Sequence, residues 1–247
     1  MAMIRQTILP AVCLVATAAC GTRDVARGRP PADSMSIPPD KVMDFRFLYA
    51  RNCAGCHGAD GKGGAAIALG DPVYLAIADD VTIRRVTADG VPGTSMPAFA
   101  KHSGGMLTDA QINVIVAGMR SRWARPEALR NVEPPPYSSQ VPGDPKRGAV
   151  VFGVYCASCH GADGQGGNRA SSVVDGSYLG LVSDQGLRTI VITGRPELGA
   201  PDWRGDVPGK PMSPQDVSDV VAWLSAQRPQ FPGQPYSTAL QSGGRLQ

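Results

Sequence analysis

A twelve-residue segment that occurs twice constrains this chain more than any other feature. Cys53-Ala-Gly-Cys-His-Gly-Ala-Asp-Gly-Lys-Gly-Gly64 returns as Cys156-Ala-Ser-Cys-His-Gly-Ala-Asp-Gly-Gln-Gly-Gly167, with ten of twelve positions identical. Downstream, after one inserted residue in the second copy, the likeness continues at an offset of 104: Asp71, Tyr74 and Leu75 over Asp175, Tyr178 and Leu179, Arg84 over Arg188, Gly90 over Gly194, and Pro97 over Pro201. The 247 residues therefore hold two copies of one domain. Each copy is poor in bulk, because the whole chain has three Trp, six Tyr and five Phe against 30 Gly and 22 Pro. A domain of about 80 residues built this way needs something other than its own side chains to fill its core.

Helical signals bracket each copy. Thr108 and Ser213 stand as N-caps with Gln111 and Asp216 at N3, and Pro214 takes the first helical position. Leu107 and Met212 precede the caps, with Ile112 and Val217 at the fourth helical position, the spacing of a hydrophobic staple. Ile112, Ile115, Val116 and Met119, and in the second copy Val217, Val220, Val221 and Leu224, then make one buried stripe each. Apolar-periodic stretches at 42–49 and 148–155 lead into the cysteines. The expected fold is all-α, two small tandem domains. Prolines crowd 124–145 and exclude a continuous helix there, so that stretch reads as a semi-rigid extended linker.

Cys-x-x-Cys-His supports three chemistries. A redox-active dithiol does not call for a His after each pair. One zinc would have to pool its ligands from both domains. Covalent attachment of c-type haem uses both thiols as thioethers and turns the His toward the iron, and it also supplies the missing apolar core. On these residues the chain resembles the class I cytochrome c superfamily in its tandem dihaem form. The resemblance implies a small helical fold around each of two covalently attached c-type haems, with Cys53, Cys56, Cys156 and Cys159 as thioether sites and His57 and His160 as proximal iron ligands. It also implies one-electron transfer and a distal Met in a Met-Pro context, which Met96-Pro97 matches in the first copy.

The second copy departs from that pattern. Ala200 aligns under Met96, and alanine cannot bind iron. Three outcomes stay open for the second haem: an iron that is five-coordinate or holds water, ligation by Met212 from the end of the Asp202–Pro211 loop, or a distant group such as Lys210 or His102. Met212 also aligns with the staple residue Leu107. His102 has no counterpart in the second copy and reads as a surface residue. Arg195 is suited either to a haem propionate or to solvent.

Residues 1–19 read as a signal peptide, with Arg5 followed by an apolar stretch too short to span a bilayer. Thr17-Ala-Ala-Cys20 resembles a lipoprotein cleavage site and makes Cys20 the expected lipidation site. The remaining divisions are a tether at 20–40, domain 1 at 41–123, the linker at 124–143, domain 2 at 144–228 and a tail at 229–247. Six cysteines are thus assigned without a disulfide. Lys+Arg 24 against Asp+Glu 21, without long runs, gives nucleic-acid binding no support. The expected role is an exported, lipid-anchored electron carrier or complex subunit on the periplasmic face, rather than an enzyme. Its expected partner is a membrane-bound redox complex such as a quinol-oxidising complex or a terminal oxidase. The alternative is a ligand-binding, peroxidase or sensor protein acting at an open second haem.

Overall fold

A computed structural model describes residues 37–129, 132–205, 207 and 209–230. The expected signal peptide, the Cys20 lipidation site, most of the tether and the tail beyond 230 lie outside the described residues. From Pro39 onward the described residues form one compact unit. Ten α-helices build it: α1 Phe45–Asn52, α2 Ala54–His57, α3 Pro72–Ile77, α4 Asp80–Asp89 and α5 Asp109–Trp123 in the first domain, then α6 Pro145–Tyr155, α7 Ala157–His160, α8 Gly176–Leu181, α9 Asp184–Thr193 and α10 Pro214–Ala226. Among the described residues there is no named strand, only isolated bridges. The two sets of five correspond one to one, as the repeat requires.

Local chemistry sets the helix ends. Asp44, Asp71, Asp79, Asp144, Asp175 and Ser183 each accept a backbone N–H from the first turn they precede. Both expected capping boxes form, at Thr108/Gln111 and Ser213/Asp216. The staple residues Leu107, Ile112, Met212 and Val217 are all buried, and so are both expected stripes. Gln111 does a second job, donating to the carbonyls of Pro39 and Val42 at 2.8 and 3.1 Å. The first domain is therefore already tied down at Pro39, inside the last residues assigned to the tether.

In each domain the first and last helices cross at a glycine. A Cβ on Gly118 of α5 would lie 2.1 Å from the Phe45 ring of α1, and one on Gly148 of α6 would lie 2.0 Å from the Asp219 carbonyl of α10. The scarce aromatics gather at these crossings: Phe45, Tyr49 and Trp123 in the first domain, Phe152 and Trp223 in the second. Asp219, buried on α10, accepts from the Asp144 N–H at 2.7 Å and from Arg147 Nε at 2.8 Å, which fastens the start of α6. These bonds hold its carboxyl at about 2, below the ordinary carboxylate value.

The proline-rich linker is extended and also docked. Arg188 of α9 is buried without a carboxylate partner; it donates to the carbonyls of Pro136 (2.9 and 3.0 Å) and Tyr137 (3.1 Å) and to Ser218 Oγ (3.1 Å). Gln185 adds a bond to the Tyr137 carbonyl at 2.8 Å. The two domains meet through α3 and α9. Val73 of α3 is buried in the same apolar cluster as Phe152, Ile192 and Trp203 of the second domain.

Candidate functional site

Each Cys-x-x-Cys-His segment is a single helical turn set at the end of a longer helix. Cys53 closes α1 by donating to the Tyr49 carbonyl at 2.8 Å, and its own carbonyl accepts from the N–H groups of Cys56 (3.2 Å) and His57 (3.0 Å). Cys156 repeats this with Phe152, Cys159 and His160 at 2.9, 3.1 and 3.0 Å. Residues three and four apart on a helical turn share a face, so two thiols and an imidazole point the same way in each domain. Gly58 and Gly161 end the turns at φ of 83° and 79°. A Cβ at Gly58 would lie 1.7 Å from the Lys62 carbonyl, which explains why the motif continues in glycine.

Both imidazoles are oriented by the backbone. His57 Nδ1 lies 2.8 Å from the Ile67 carbonyl, and His160 Nδ1 lies 2.8 Å from the Ser171 carbonyl. A ring nitrogen facing a carbonyl carries the proton, which leaves Nε2 with a free lone pair, the tautomer that a metal requires. His57 is buried, and burial lowers its pKa and keeps the ring neutral. His160 is half-buried. Sequence reasoning missed the two carbonyls, because a backbone acceptor leaves no trace in residue identity.

The four described cysteines are free thiols. Burial pushes Cys53 up to about 12 and Cys156 to about 11. A redox-active Cys-x-x-Cys needs the opposite, a thiol pKa lowered toward neutrality, so the geometry argues against that chemistry. No group of three or more His, Cys, Asp or Glu among the described residues is arranged to hold a metal ion by itself. Two free thiols and one imidazole with a free Nε2 on one turn fit a covalently attached haem.

The loops after α4 and α9 carry the expected distal positions, and their backbones superimpose in pattern. Val91 N–H donates to the Met96 carbonyl at 3.0 Å, and Arg195 N–H donates to the Ala200 carbonyl at 2.9 Å. Thr94 steadies the first loop, its hydroxyl bonding the Val91 carbonyl at 2.8 Å and accepting from Met96 N–H at 3.2 Å. Ala200 thus occupies in space the place its alignment gives it. Met212 is buried among Phe152, Ile192, Trp203, Val217 and Val220. Its N–H bonds the Trp203 carbonyl at 2.8 Å, just as Leu107 N–H bonds that of Phe99 at 2.8 Å. The structure gives Met212 the staple place.

The remaining candidates lie elsewhere. His102 is at the surface, 3.4 Å from Asp89 and 3.7 Å from Asp109. Lys210 is exposed. Arg195 pairs with Glu197 at 2.7 Å and donates to the Gly64 carbonyl of the first domain at 2.8 Å. That second bond ties the distal loop of domain 2 to the glycine-rich loop that follows the cysteines of domain 1. Neither partner was legible in the sequence, since they lie 131 residues apart and one is a main-chain oxygen.

Two helical domains in tandem, each presenting the Cys-Cys-His turn, define a dihaem c-type cytochrome. Residues 40–117 and 143–224, together well over half of the chain, match the family described as cytochrome C oxidase, cbb3-type, subunit III, and the chain belongs to that family. It is similar to the cytochrome bc1 complex cytochrome c subunit of Mycobacterium tuberculosis, 27% identical over 151 residues that make up 60% of this chain and 51% of the relative. It is also similar to the cbb3-type cytochrome c oxidase subunit FixP of Azorhizobium caulinodans, 32% identical over 148 residues, 54% of this chain and 44% of the relative. The chain thus spans about half the length of the curated relatives it matches. A chain of the Kuenenia stuttgartiensis reducing HAO-like protein complex aligns over 79% of this chain and 100% of its own at 19% identity, with a TM-score of 0.44. That likeness is too distant to carry an argument.

Proposed function

We propose that this chain is an electron-transfer subunit or tethered carrier that exchanges single electrons with membrane-bound respiratory complexes. The observation that carries the reading is the duplicated turn in which two free thiols and a histidine of fixed tautomer share one face. Cys53 and Cys56 would hold one haem and Cys156 and Cys159 the other, with His57 and His160 binding iron through Nε2 and Met96 supplying a further ligand in domain 1. When bound, each haem supplies a one-electron couple. The chain supplies the rest: the Ile67 and Ser171 carbonyls fix the ring planes and raise the basicity of Nε2, and the thiols prevent loss of the group. Arg195 joins the two sites mechanically.

Relatives named as subunits of the bc1 complex and of cbb3 oxidase support a quinol-oxidising complex or a terminal oxidase as partner. Work at the periplasmic face is part of the same proposal. No described helix is long and apolar enough to cross a membrane. Attachment through a lipid on Cys20 rests on the Thr17-Ala-Ala-Cys20 sequence and belongs to the same proposal. Lipid labelling of Cys20→Ser tests that element, with loss of label as the expected result. The central test is a pyridine haemochrome assay on the acid–acetone-extracted chain. Two haems per chain resistant to extraction are expected, falling to one in Cys53→Ala/Cys56→Ala. Haem that extracts freely from the unmodified chain would refute the reading.

A further inference from the structure

The two distal loops share one closing bond but carry different residues at the distal position. The loops from Val91 to Met96 and from Arg195 to Ala200 close with the same N–H to C=O bond. In the second loop the closure is doubled, because Ala200 N–H also donates to the Arg195 carbonyl at 3.0 Å. Gly194 backs it at φ 65°, with a would-be Cβ 2.2 Å from the Pro201 carbonyl. Ala200 is therefore pinned where the Met96 backbone stands, without the Cγ, Sδ and Cε that would reach an iron.

A substitute donor has to come from domain 2 or from its surroundings. Residues 144–228 contain one histidine, His160, and one methionine, Met212. Met212 is 6% exposed and held in the core on both its main chain and its side chain. The following cap at Ser213, with Asp216 accepting from Ser213 N–H at 2.9 Å, fixes the residue beside it. Moving Met212 to a haem would empty the position that Leu107 fills in domain 1 and break the staple with Val217. A cavity of that kind is strongly destabilising. The charged groups of the distal loop, Arg195 and Glu197, are spent on one another and on the Gly64 carbonyl.

We propose that domain 2 offers no protein ligand at the distal position of its haem, and that this position is a binding site for a small neutral ligand of the carbon monoxide or imidazole type. The inference rests on the assignment of Cys156, Cys159 and His160 as the second haem site. Ala200 is flanked by Gly199 and Pro201, and no imidazole stands in the loop to move protons, so the site binds rather than activates. Without a methionine sulfur on its iron, the second haem would also have the lower potential.

The test is carbon monoxide titration of the dithionite-reduced holoprotein after its haem content has been counted. A count other than two would refute the haem assignment itself and is read separately. With two haems present, one carbon monoxide per chain is expected for the unmodified protein, two for Met96→Ala, and still one for Met212→Leu, which keeps the staple apolar. Redox titration should show two one-electron waves, the lower unmoved by Met212→Leu. No carbon monoxide bound by the unmodified protein, or binding that appears only in Met212→Leu, would overturn the proposal.

Discussion

The crossing of α6 and α10 gives a sharp test of how this fold is assembled. In Gly148→Ala the new Cβ would sit 2.0 Å from the Asp219 carbonyl oxygen, whereas ordinary contact begins at 3.4 Å. The helices must part by roughly 1.4 Å, and overpacking of this kind costs about 1–3 kcal/mol. The movement also stretches the bonds from Asp219 to the Asp144 N–H and to Arg147, at 2.7 and 2.8 Å. The hydrogen bond from the Asp144 N–H to the buried Asp219 carboxylate contributes about 1.5–3 kcal/mol. Against this, alanine is the better helix former by about 1 kcal/mol. The net is a loss of about 3 kcal/mol, or roughly 6–12 °C of Tm for a chain of this size. Gly153 is the control: it lies on the same helix, and a Cβ there meets nothing within 4 Å. Gly153→Ala should raise Tm by a few degrees, from about 0.5–1 kcal/mol of helix propensity. Thermal unfolding of the holoprotein by far-ultraviolet circular dichroism reads both. Shifts of the same sign and size in the two variants would refute the close-crossing argument.

Three further expectations follow from the same contacts. Because Asp219 titrates near 2 when folded, below its unfolded value of 3.8, its contribution is complete above about pH 4 and is lost as pH falls toward 2. Acid unfolding of Asp219→Asn should show a shallower pH slope over that window, by about 1–2 kcal/mol in total. Arg188→Met removes the donors that hold Pro136 and Tyr137, so chymotrypsin should cut after Tyr137 at least tenfold faster, a factor set by one charged hydrogen bond of about 1.5–3 kcal/mol; an unchanged rate would show that the linker is held by something else. Arg195→Ala should raise amide exchange both at 195–200 and around Gly64 in the other domain. A rise confined to 195–200 would show that the bridge does not couple them.

The repeat, the caps, the staples and the Cys-x-x-Cys-His turns were all legible in the sequence, because each is written in side-chain identity at short spacing. Even the asymmetry between Met96 and Ala200 could be read, since the two loops have equal length. What could not be read was anything that ends on a main-chain oxygen far along the chain. Arg84 and Arg188 align, yet Arg84 bonds Asn113 at the surface while Arg188 is buried against the linker. Gly118 and Gly148 mark equivalent crossings from opposite helices, so no alignment pairs them. The linker prolines correctly exclude a helix, but their composition is silent about where the extended chain docks.

The contact between α3 and α9 has a consequence for the order of the two copies. The surfaces that meet are different on each side, so the interface is heterologous: a head-to-tail joint that does not close on itself and could in principle accept another copy. The position equivalent to Val73 on the outer end of domain 2 is Ser177, which is exposed, while Val73 itself is 5% exposed. That polar replacement is what a terminal repeat requires. The two domains are therefore not interchangeable modules. Reversing their order would bury a serine hydroxyl and present a valine to water, so the duplication has been fixed in one direction by the residues at its seam.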